Sequence, residues 1–274
     1  MRAFKSNLMR NKTVIVTGAN GILGKTFCST LLKQGANVAA IDLKFEQGDF
    51  FGAKKRAEHS KKKNDIKFFQ CDISDERAVN KCVDEILGWC GSVNALINSA
   101  ATKTASPENF FAPFETYSIA TWKEVMSVNV DGSFLMSRRV GNEMAKGDGG
   151  SIILISSIYG LVGPDDRIYE GSQYNGLQIN TPAVYSTSKA ALIGLTKWLA
   201  THWADKNVRV NCIAPGGVQS GQNEIFDNNY SSRVPMKRMA KGEEIATVAI
   251  FLSSDAASYI NGQTIAVDGG FTSW

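Results

Sequence analysis

The possible folds are narrowed most by a junction near the start of the chain. Thr13-Val14-Ile15-Val16 is a short, β-branched apolar run, the pattern of a strand buried on both faces. It passes directly into Thr17-Gly18-Ala19-Asn20-Gly21-Ile22-Leu23-Gly24 and then into a helical segment from 25 to 34. Strand, glycine-rich turn and helix in immediate succession make one half of a parallel βαβ unit. Such a turn lets backbone approach a pyrophosphate, whose charge the N-terminus of the next helix stabilises. A plain tight turn would use the same residues.

The alternation then repeats. Asn37-Val38-Ala39-Ala40-Ile41 reads as a second strand ending in Asp42, 24 positions after Gly18 (42 − 18). A carboxylate there accepts hydrogen bonds from the ribose hydroxyls of an adenosine half and repels a 2′-phosphate, which favours NAD over NADP. Lys44 nearby leaves the strictness of that choice open. Residues 46–63 carry two basic clusters, Lys54-Lys55-Arg56 and Lys61-Lys62-Lys63, read as a solvated helix face. A third strand, 66–71, leads to Asp72-Ile73; Asp72 either caps the following helix or meets the adenine edge. A helix is predicted over 75–89 and a strand over 93–97. Asn98-Ser99-Ala100-Ala101 follows at the carboxyl end of that strand, the edge that lines the ligand crevice of a doubly wound sheet. The spacing of apolar residues predicts one long helix over 121–144, with Asn129 in its interior, where Asn is a poor helix former. A fifth strand, 151–155, runs into Ser156-Ser157-Ile158-Tyr159-Gly160.

Between 164 and 182 the alternation breaks. Asp165, Arg167, Tyr169, Gln173, Tyr174 and Asn175 follow no period, so a long loop or lid is expected. Tyr185-Ser186-Thr187-Ser188-Lys189 then opens an apolar-periodic helix, with Leu192, Leu195 and Leu199 on its buried side. Positions four apart lie on nearly the same helix face, so Tyr185 and Lys189 can present a phenol and an ammonium to one site. A cation beside a phenol favours the phenolate and makes a general acid/base near neutral pH. Chance places the same pair on many helices. A sixth strand, 207–213, runs into Ala214-Pro215-Gly216-Gly217-Val218-Gln219-Ser220. Residues 217–235, rich in Asn and Ser, are expected to be mobile. A helix over 243–252, a strand over 264–267 and Asp268-Gly269-Gly270 close the chain.

With no linker and no repeat, the whole of 1–274 reads as one doubly wound α/β domain of about seven parallel strands flanked by helices. A net charge of +4 is too small a surplus to argue for nucleic acid. Five scattered cysteines form no C-x-x-C pair, which suits reduced thiols in a cytoplasm. Residues 1–10 lack the apolar core of a signal peptide, and no apolar run approaches membrane-spanning length. His59 and His202 belong to no metal-ligand constellation, so no metal is expected.

Read together, these residues resemble the classical short-chain dehydrogenase/reductase family from about Lys12 to Gly270. The landmarks in chain order are the Thr17-Gly18 turn, Asp72, Asn98-Ser99-Ala100, Asn129, Ser157, Tyr185 with Lys189, Pro215-Gly216 and Asp268-Gly269-Gly270. The resemblance implies a Rossmann-like fold and an NAD-dependent interconversion of a secondary alcohol and a carbonyl. It implies that Tyr185 exchanges the proton with the substrate oxygen while Lys189 lowers the Tyr185 pKa and bonds the nicotinamide ribose. Ser157 would hold the substrate oxygen, and Asn129 would position a water linking Lys189 to solvent. Cofactor contacts would come from Gly18, Asn20, Gly21, Ile22, Gly24, Asp42, Asp72, Ile73, Asn98, Ala100, Tyr185, Lys189, Pro215, Gly216 and Val218, with Val218 the backbone partner of the nicotinamide carboxamide. A homodimer or homotetramer is implied as well.

Three departures stand out. The spacing of Gly18, Gly21 and Gly24 is nearer to the extended branch, which includes sugar-nucleotide epimerases, although the Pro215-Gly216 segment favours the classical one. Asn98-Ser99-Ala100-Ala101 replaces the usual Asn-Asn-Ala-Gly. Ser157 and Tyr185 are 28 positions apart (185 − 157), far more than the family usually has, and the 164–182 loop makes up the excess. Its Tyr, Asn, Asp and Gln side chains suit a polyhydroxylated substrate through stacking and hydrogen bonding; an oligomer contact is the alternative. The 156–160, 168–171 and 269–274 stretches resemble a bacterial subset associated with flagellin modification and nonulosonic-acid sugars. A ketoacyl, steroid or xenobiotic carbonyl substrate, or an NAD-sensing protein without turnover, would be the other readings.

Overall fold

Seven strands, each running into a loop or helix on the same edge, set the frame. In the computed structural model, residues 7–45 and 65–274 are described; the two basic clusters and His59 fall outside them. The strands are β1 Thr13–Thr17, β2 Asn37–Asp42, β3 Ile66–Gln70, β4 Ala95–Asn98, β5 Gly150–Ile155, β6 Val208–Pro215 and β7 Thr264–Val267. They lie in the order β3-β2-β1-β4-β5-β6-β7, and every pairing is parallel. The strand order reverses between β1 and β4, which opens a crevice beyond their carboxyl ends at Thr17 and Asn98.

The apolar runs lack polar alternation because both faces are covered. Ile15, Leu96, Ile152 and Leu154 face one buried layer, with Val83 and Ile86 of α2 (Glu76–Cys90), Met136 and Val140 of α4 (Ser133–Lys146) and Leu192 and Leu199 of α5 (Ala183–His202). Val14, Val16, Ile97 and Ile153 face the other, against Phe27 and Leu31 of α1 (Ile22–Lys33) and Ile245 and Ala249 of α7 (Gly242–Ser253). The inner strands β1, β2, β4 and β5 therefore feed two cores with a period of two. The chain forms a single Rossmann-like α/β domain.

The structure departs from the sequence-based expectations at five places. The helix expected over 121–144 runs without a break from Ile119 to Lys146 but is not regular: between α3 Ile119–Met126 and α4 it widens to a π turn, Ser127–Gly132. Gly132 packs closely there, since a Cβ would lie 2.7 Å from the Ile73 side chain. The 217–235 segment, expected to be mobile, contains α6 Glu224–Arg233, capped by the Asn223 carboxamide, which accepts from the Phe226 N–H at 2.8 Å. The 164–182 loop holds a 3₁₀ turn, Asp166–Tyr169, and a small hairpin pairing Gln173 with Gln178 and Tyr174 with Leu177. Asn175 and Gly176 turn that hairpin at φ 51° and 79°, as a tight primed turn requires. Asp75, not Asp72, caps α2, accepting from the Arg77 and Ala78 N–H groups. Finally, Leu195 packs on the core as expected but only half-buried, and Thr196 takes the fully buried place between Leu192 and Leu199.

Candidate active site

The β1–α1 turn is shaped by close approach. Gly18 has φ 65°, and a Cβ there would lie 2.6 Å from the Ala100 Cα. A Cβ on Gly24 would fall 2.0 Å from the Gly18 carbonyl oxygen, while one on Gly21 would sit at 3.2 Å from the same atom. Helix α1 starts at Ile22, so Gly24 lies in its first turn. Gly21 is its N-cap, no side chain caps it, and no acid occupies the first turn. Its unpaired N–H groups and positive dipole end therefore remain available to an anion. Ile22 stands 58% exposed beside them.

Asp42 closes this cradle from β2. One carboxylate oxygen accepts from the Asn20 N–H and the other from the Leu43 N–H, both at 2.8 Å. The Asn20 carboxamide donates to the Lys44 carbonyl at 3.2 Å, which fastens the turn to the end of β2. The β4 edge is fastened by Thr17, whose hydroxyl accepts from the Ser99 and Ala100 N–H groups at 3.1 and 3.2 Å. Asn98 is buried and donates to the Ser133 carbonyl at 3.3 Å and the Ser137 hydroxyl at 3.0 Å. Its side chain thus anchors the strand end to α4, and what Asn98 and Ala100 offer a ligand is backbone. Asp72 accepts from the Ser74 N–H and hydroxyl at 2.9 and 2.6 Å in a local turn. Ile73 is buried against Gly132.

Ser157, Tyr185 and Lys189 meet where β5 ends and α5 begins. The Lys189 ammonium lies 5.7 Å from the Tyr185 ring centroid and donates to the Ile155 carbonyl at 2.9 Å. Lys189 is 5% exposed, and burial pushes its pKa down to about 8. Burial raises the Tyr185 phenol above its usual value, and a hydrogen bond with Ser157 pulls it back. Ser157 thus works against burial at the phenol, while the Lys189 ammonium donates to Ile155. The Ser157 hydroxyl also accepts from the Tyr159 N–H at 3.2 Å. Next to it, the Ser156 hydroxyl donates to the Lys189 carbonyl at 2.7 Å, which locks β5 to α5.

Asn129 is 1% exposed, inside the wide turn. Its carboxamide oxygen accepts from the Thr102 N–H and its nitrogen donates to the Ser188 hydroxyl, both at 3.0 Å. Its carbonyl accepts from the Ser133 hydroxyl at 2.8 Å. Asn129 is thus a clamp joining the loop after β4, the wide turn and the Tyr185 helix.

Beyond β6, the Gly216 N–H donates to the Val267 carbonyl at 3.0 Å, which seats Pro215-Gly216 against β7. A Cβ on Gly216 would lie 2.9 Å from the Asp268 Cα. The Gly217 N–H donates to the Tyr230 hydroxyl, so α6 holds this loop directly. Val218 forms a parallel bridge with Ala240. The Gln222 side chain donates to the Val218 carbonyl at 2.8 Å and accepts from the Ser220 N–H at 2.7 Å.

Sequence reasoning did not find the aromatic wall beside Tyr185. Tyr159, Tyr169, Tyr230 and Phe271 form a buried cluster on which Tyr185 and Phe226 pack. The Tyr169 hydroxyl donates to Tyr159 at 3.3 Å and shares a hydrogen with Thr181. Burial raises the Tyr159 and Tyr169 phenols, and that of Tyr230 to about 12, so these three stay protonated at neutral pH. The inserted loop is fastened on two sides. Asn229 of α6 donates to the Ile168 and Glu170 carbonyls at 3.4 and 3.0 Å, and Arg233 pairs with Asp165 at 3.1 Å. On the opposite side, Asn180 donates to the Phe111 carbonyl at 3.0 Å, and the Phe111 and Tyr174 rings lie 6.4 Å apart. The Lys103 ammonium lies 5.5 Å from the Tyr174 ring centroid. The one readable signal was the Asn175-Gly176 pair, a hairpin turn in its own right.

Among the described residues, no helix is long and apolar enough to cross a membrane, and no group of His, Cys, Asp and Glu side chains is placed to hold a metal.

Known proteins resemble the chain over nearly its whole length. A family model described as "Enoyl-(Acyl carrier protein) reductase" matches residues 18–272. The chain is 30% identical to the D-threitol dehydrogenase of Mycolicibacterium smegmatis, over 95% of its length and 93% of that protein. It is 31% identical to the 3-oxoacyl-[acyl-carrier-protein] reductase FabG of Aquifex aeolicus, over 96% of its length and 98% of that protein. Among solved structures, a short-chain dehydrogenase from Leptospira borgpetersenii with bound NAD+ superposes with a TM-score of 0.83 at 30% identity, covering 99% of this chain and 98% of that one.

Proposed function

The chain belongs to the short-chain dehydrogenase/reductase family, and on that premise we propose that it interconverts a secondary alcohol and a carbonyl on a polar, sugar-like substrate, with NAD as its cofactor. The observation that carries this reading is the convergence of Ser157, Tyr185 and Lys189 at the crevice beside the glycine turn. The cradle suits a dinucleotide: Gly18 and Gly24 leave no room for a Cβ, and the α1 N-terminus is uncapped. When bound, the nicotinamide supplies the group that accepts or gives the hydride. Gly18, Asn20, Gly21, Ile22 and Gly24 would hold the pyrophosphate through backbone and the α1 dipole, and Asp42 the adenosine ribose. Asp72, Ile73, Asn98 and Ala100 would line the adenine side and floor, and Pro215, Gly216 and Val218 the nicotinamide side.

The proton chemistry belongs to the chain. Ser157 holds the substrate oxygen, and Tyr185 gives or takes its proton. Lys189 supplies the buried positive charge that favours the phenolate once its ammonium turns from Ile155 toward the phenol. Asn129 keeps Ser188, one turn of α5 away from Tyr185, in place.

The inserted loop supports the sugar-like substrate: Tyr174 and Asn180 stand where it meets Phe111, and a polyhydroxylated molecule is recognised by such ring faces and amides. Similarity to a D-threitol dehydrogenase points the same way; the stretches at 156–160, 168–171 and 269–274 favour nonulosonic-acid or flagellin-modifying sugar routes in particular. The FabG relative favours a second reading, reduction of a ketoacyl substrate. The five free thiols, four of them buried, suit a reducing cytoplasm, and we expect a homodimer or homotetramer.

A panel of polyols, amino sugars, nucleotide sugars and ketoacyl thioesters, read at the nicotinamide absorbance with NAD and with NADP, tests the proposal. Turnover on a hydroxylated substrate supports it; activity confined to thioesters supports the second reading. No turnover together with no NAD binding would sink both. For the cofactor, Asp42→Ala should erode the discrimination against NADP, and a wild type that already prefers NADP would overturn the role given to Asp42.

A further inference from the structure

The loop after β6 contains a contact to which the cofactor reading gives a meaning. Val218 pairs with Ala240 through groups that are not its own: the Gln219 N–H donates to the Ala240 carbonyl at 2.9 Å, and the Ala240 N–H donates to the Gly217 carbonyl at 2.8 Å. In an extended parallel bridge the intervening residue then turns its own N–H and C=O the other way. The Val218 carbonyl so exposed is met by Gln222, whose Nε2 donates to it at 2.8 Å. Oε1 of the same side chain accepts from the Ser220 N–H at 2.7 Å. A primary amide has one donor end and one acceptor end, and Gln222 uses both on the loop backbone. Gly221, at φ 84°, makes the turn that brings Gln222 back over Val218.

The nicotinamide ring carries the same chemical group, a primary carboxamide, and Val218 is the backbone position assigned to receive it. We propose that Gln222 is an internal stand-in for the nicotinamide carboxamide. It docks on the Val218 carbonyl and the Ser220 N–H, and cofactor binding exchanges one amide for the other. The proposal rests on the family reading of Val218 and adds a residue that sets cofactor affinity. Because the exchange concerns only the nicotinamide end, Gln222 weakens binding of the whole dinucleotide and leaves its adenosine half untouched. It acts on oxidised and reduced cofactor alike and so hastens release of the cofactor product, a step that limits turnover in many enzymes. Gln222 is exposed and stands just before Asn223, the cap of α6. Its departure leaves that helix, and the Tyr230 contact to Gly217, in place.

The test is calorimetric titration of the full chain with NAD, NADH and ADP-ribose, which lacks the nicotinamide. Wild type is compared with Gln222→Met, similar in length but without the amide, and with Gln222→Ala. Losing a competing contact worth about one net hydrogen bond should tighten NAD and NADH by about fivefold in both variants, with ADP-ribose unchanged. Unchanged or weaker NAD binding in both variants overturns the proposal. So does equal tightening of ADP-ribose, which would mark a general loosening of the loop. Wild type that binds neither ligand would overturn the family reading and this proposal with it. Wild type that binds both, with unresponsive variants, overturns the stand-in alone.

Discussion

At the scale of single residues, the site is a matter of which protonation states burial permits. Desolvation raises all four phenols, Tyr159, Tyr169, Tyr230 and Tyr185, and in Tyr185 the hydrogen bond with Ser157 works against it. Burial brings Lys189 to about 8, so its ammonium is lost as pH rises through that value rather than near the usual 10.5. Charge on Lys189 therefore remains available to Tyr185 at neutral pH and fails in mildly alkaline solution. For Tyr185→Phe, which removes the hydroxyl and keeps the ring on the Tyr159–Tyr230 cluster, kcat should fall by about 100-fold to 10,000-fold. The NAD dissociation constant should stay near wild type. Turnover at wild-type level in that variant would remove Tyr185 from the proton step.

At the scale of elements, the anchoring of helices to the sheet decides whether those residues meet. Helix α7 begins with Glu244 reaching back to the Lys241 N–H at 2.8 Å while Arg238 binds both of its carboxylate oxygens at 2.7 and 2.8 Å. The Arg238 guanidinium first, and the Lys241 N–H second, hold the Glu244 carboxyl at about 2, below its ordinary 4.5. Between those values the unfolded chain binds a proton that the folded chain refuses, so stability falls as pH drops. This contribution is complete above the ordinary value and gone near pH 2. Glu244→Gln should cost about 1 kcal/mol at pH 7, a figure already reduced for solvent screening. In thermal melts the gap to wild type should close as pH falls from about 5 toward about 2; a gap that is constant with pH would mean the charge contributes nothing.

Elements also show what the chain spells out and what it conceals. The strands are legible because Val14 to Val16 and Ile152 to Ile155 are apolar on both faces, and the Tyr185–Lys189 pair is legible because helical spacing aligns it. The wide turn at Asn129 leaves no trace, since one extra residue in a turn hardly disturbs the apolar spacing from Val125 to Val140. Helix α6 is concealed because its inward face is little more than Phe226 and Tyr230 among polar neighbours. The clamp made by Asn129 joins Thr102 and Ser188, positions whose meeting depends on how three elements pack.

At the scale of the whole molecule, the insertion between Ser157 and Tyr185 links two walls that would otherwise be separate. One foot is tied to α6 through Asn229 and Arg233, the other to the 107–111 segment through Asn180 and the Phe111–Tyr174 contact. Replacing residues 173–178 by a short Gly-Ser link removes the Tyr174 ring and its contact with Phe111 but leaves the ties made by Asn180, Asn229 and Arg233. NAD affinity should be unchanged while KM for the preferred substrate rises by about tenfold, the worth of one aromatic contact with its buried area. A variant with unaltered KM would assign the hairpin to contacts between subunits instead.

Tied at both feet, the loop also works as a gauge. On the proposed reading of this loop as the edge of the substrate entrance, a rim bolted at both ends has a set bore, and what passes is decided by girth at the threshold rather than by how well the walls fold around a guest. Across a homologous series of polyols, kcat/KM should then drop in one step at a definite size, where a hinged mouth would give a gradual slope.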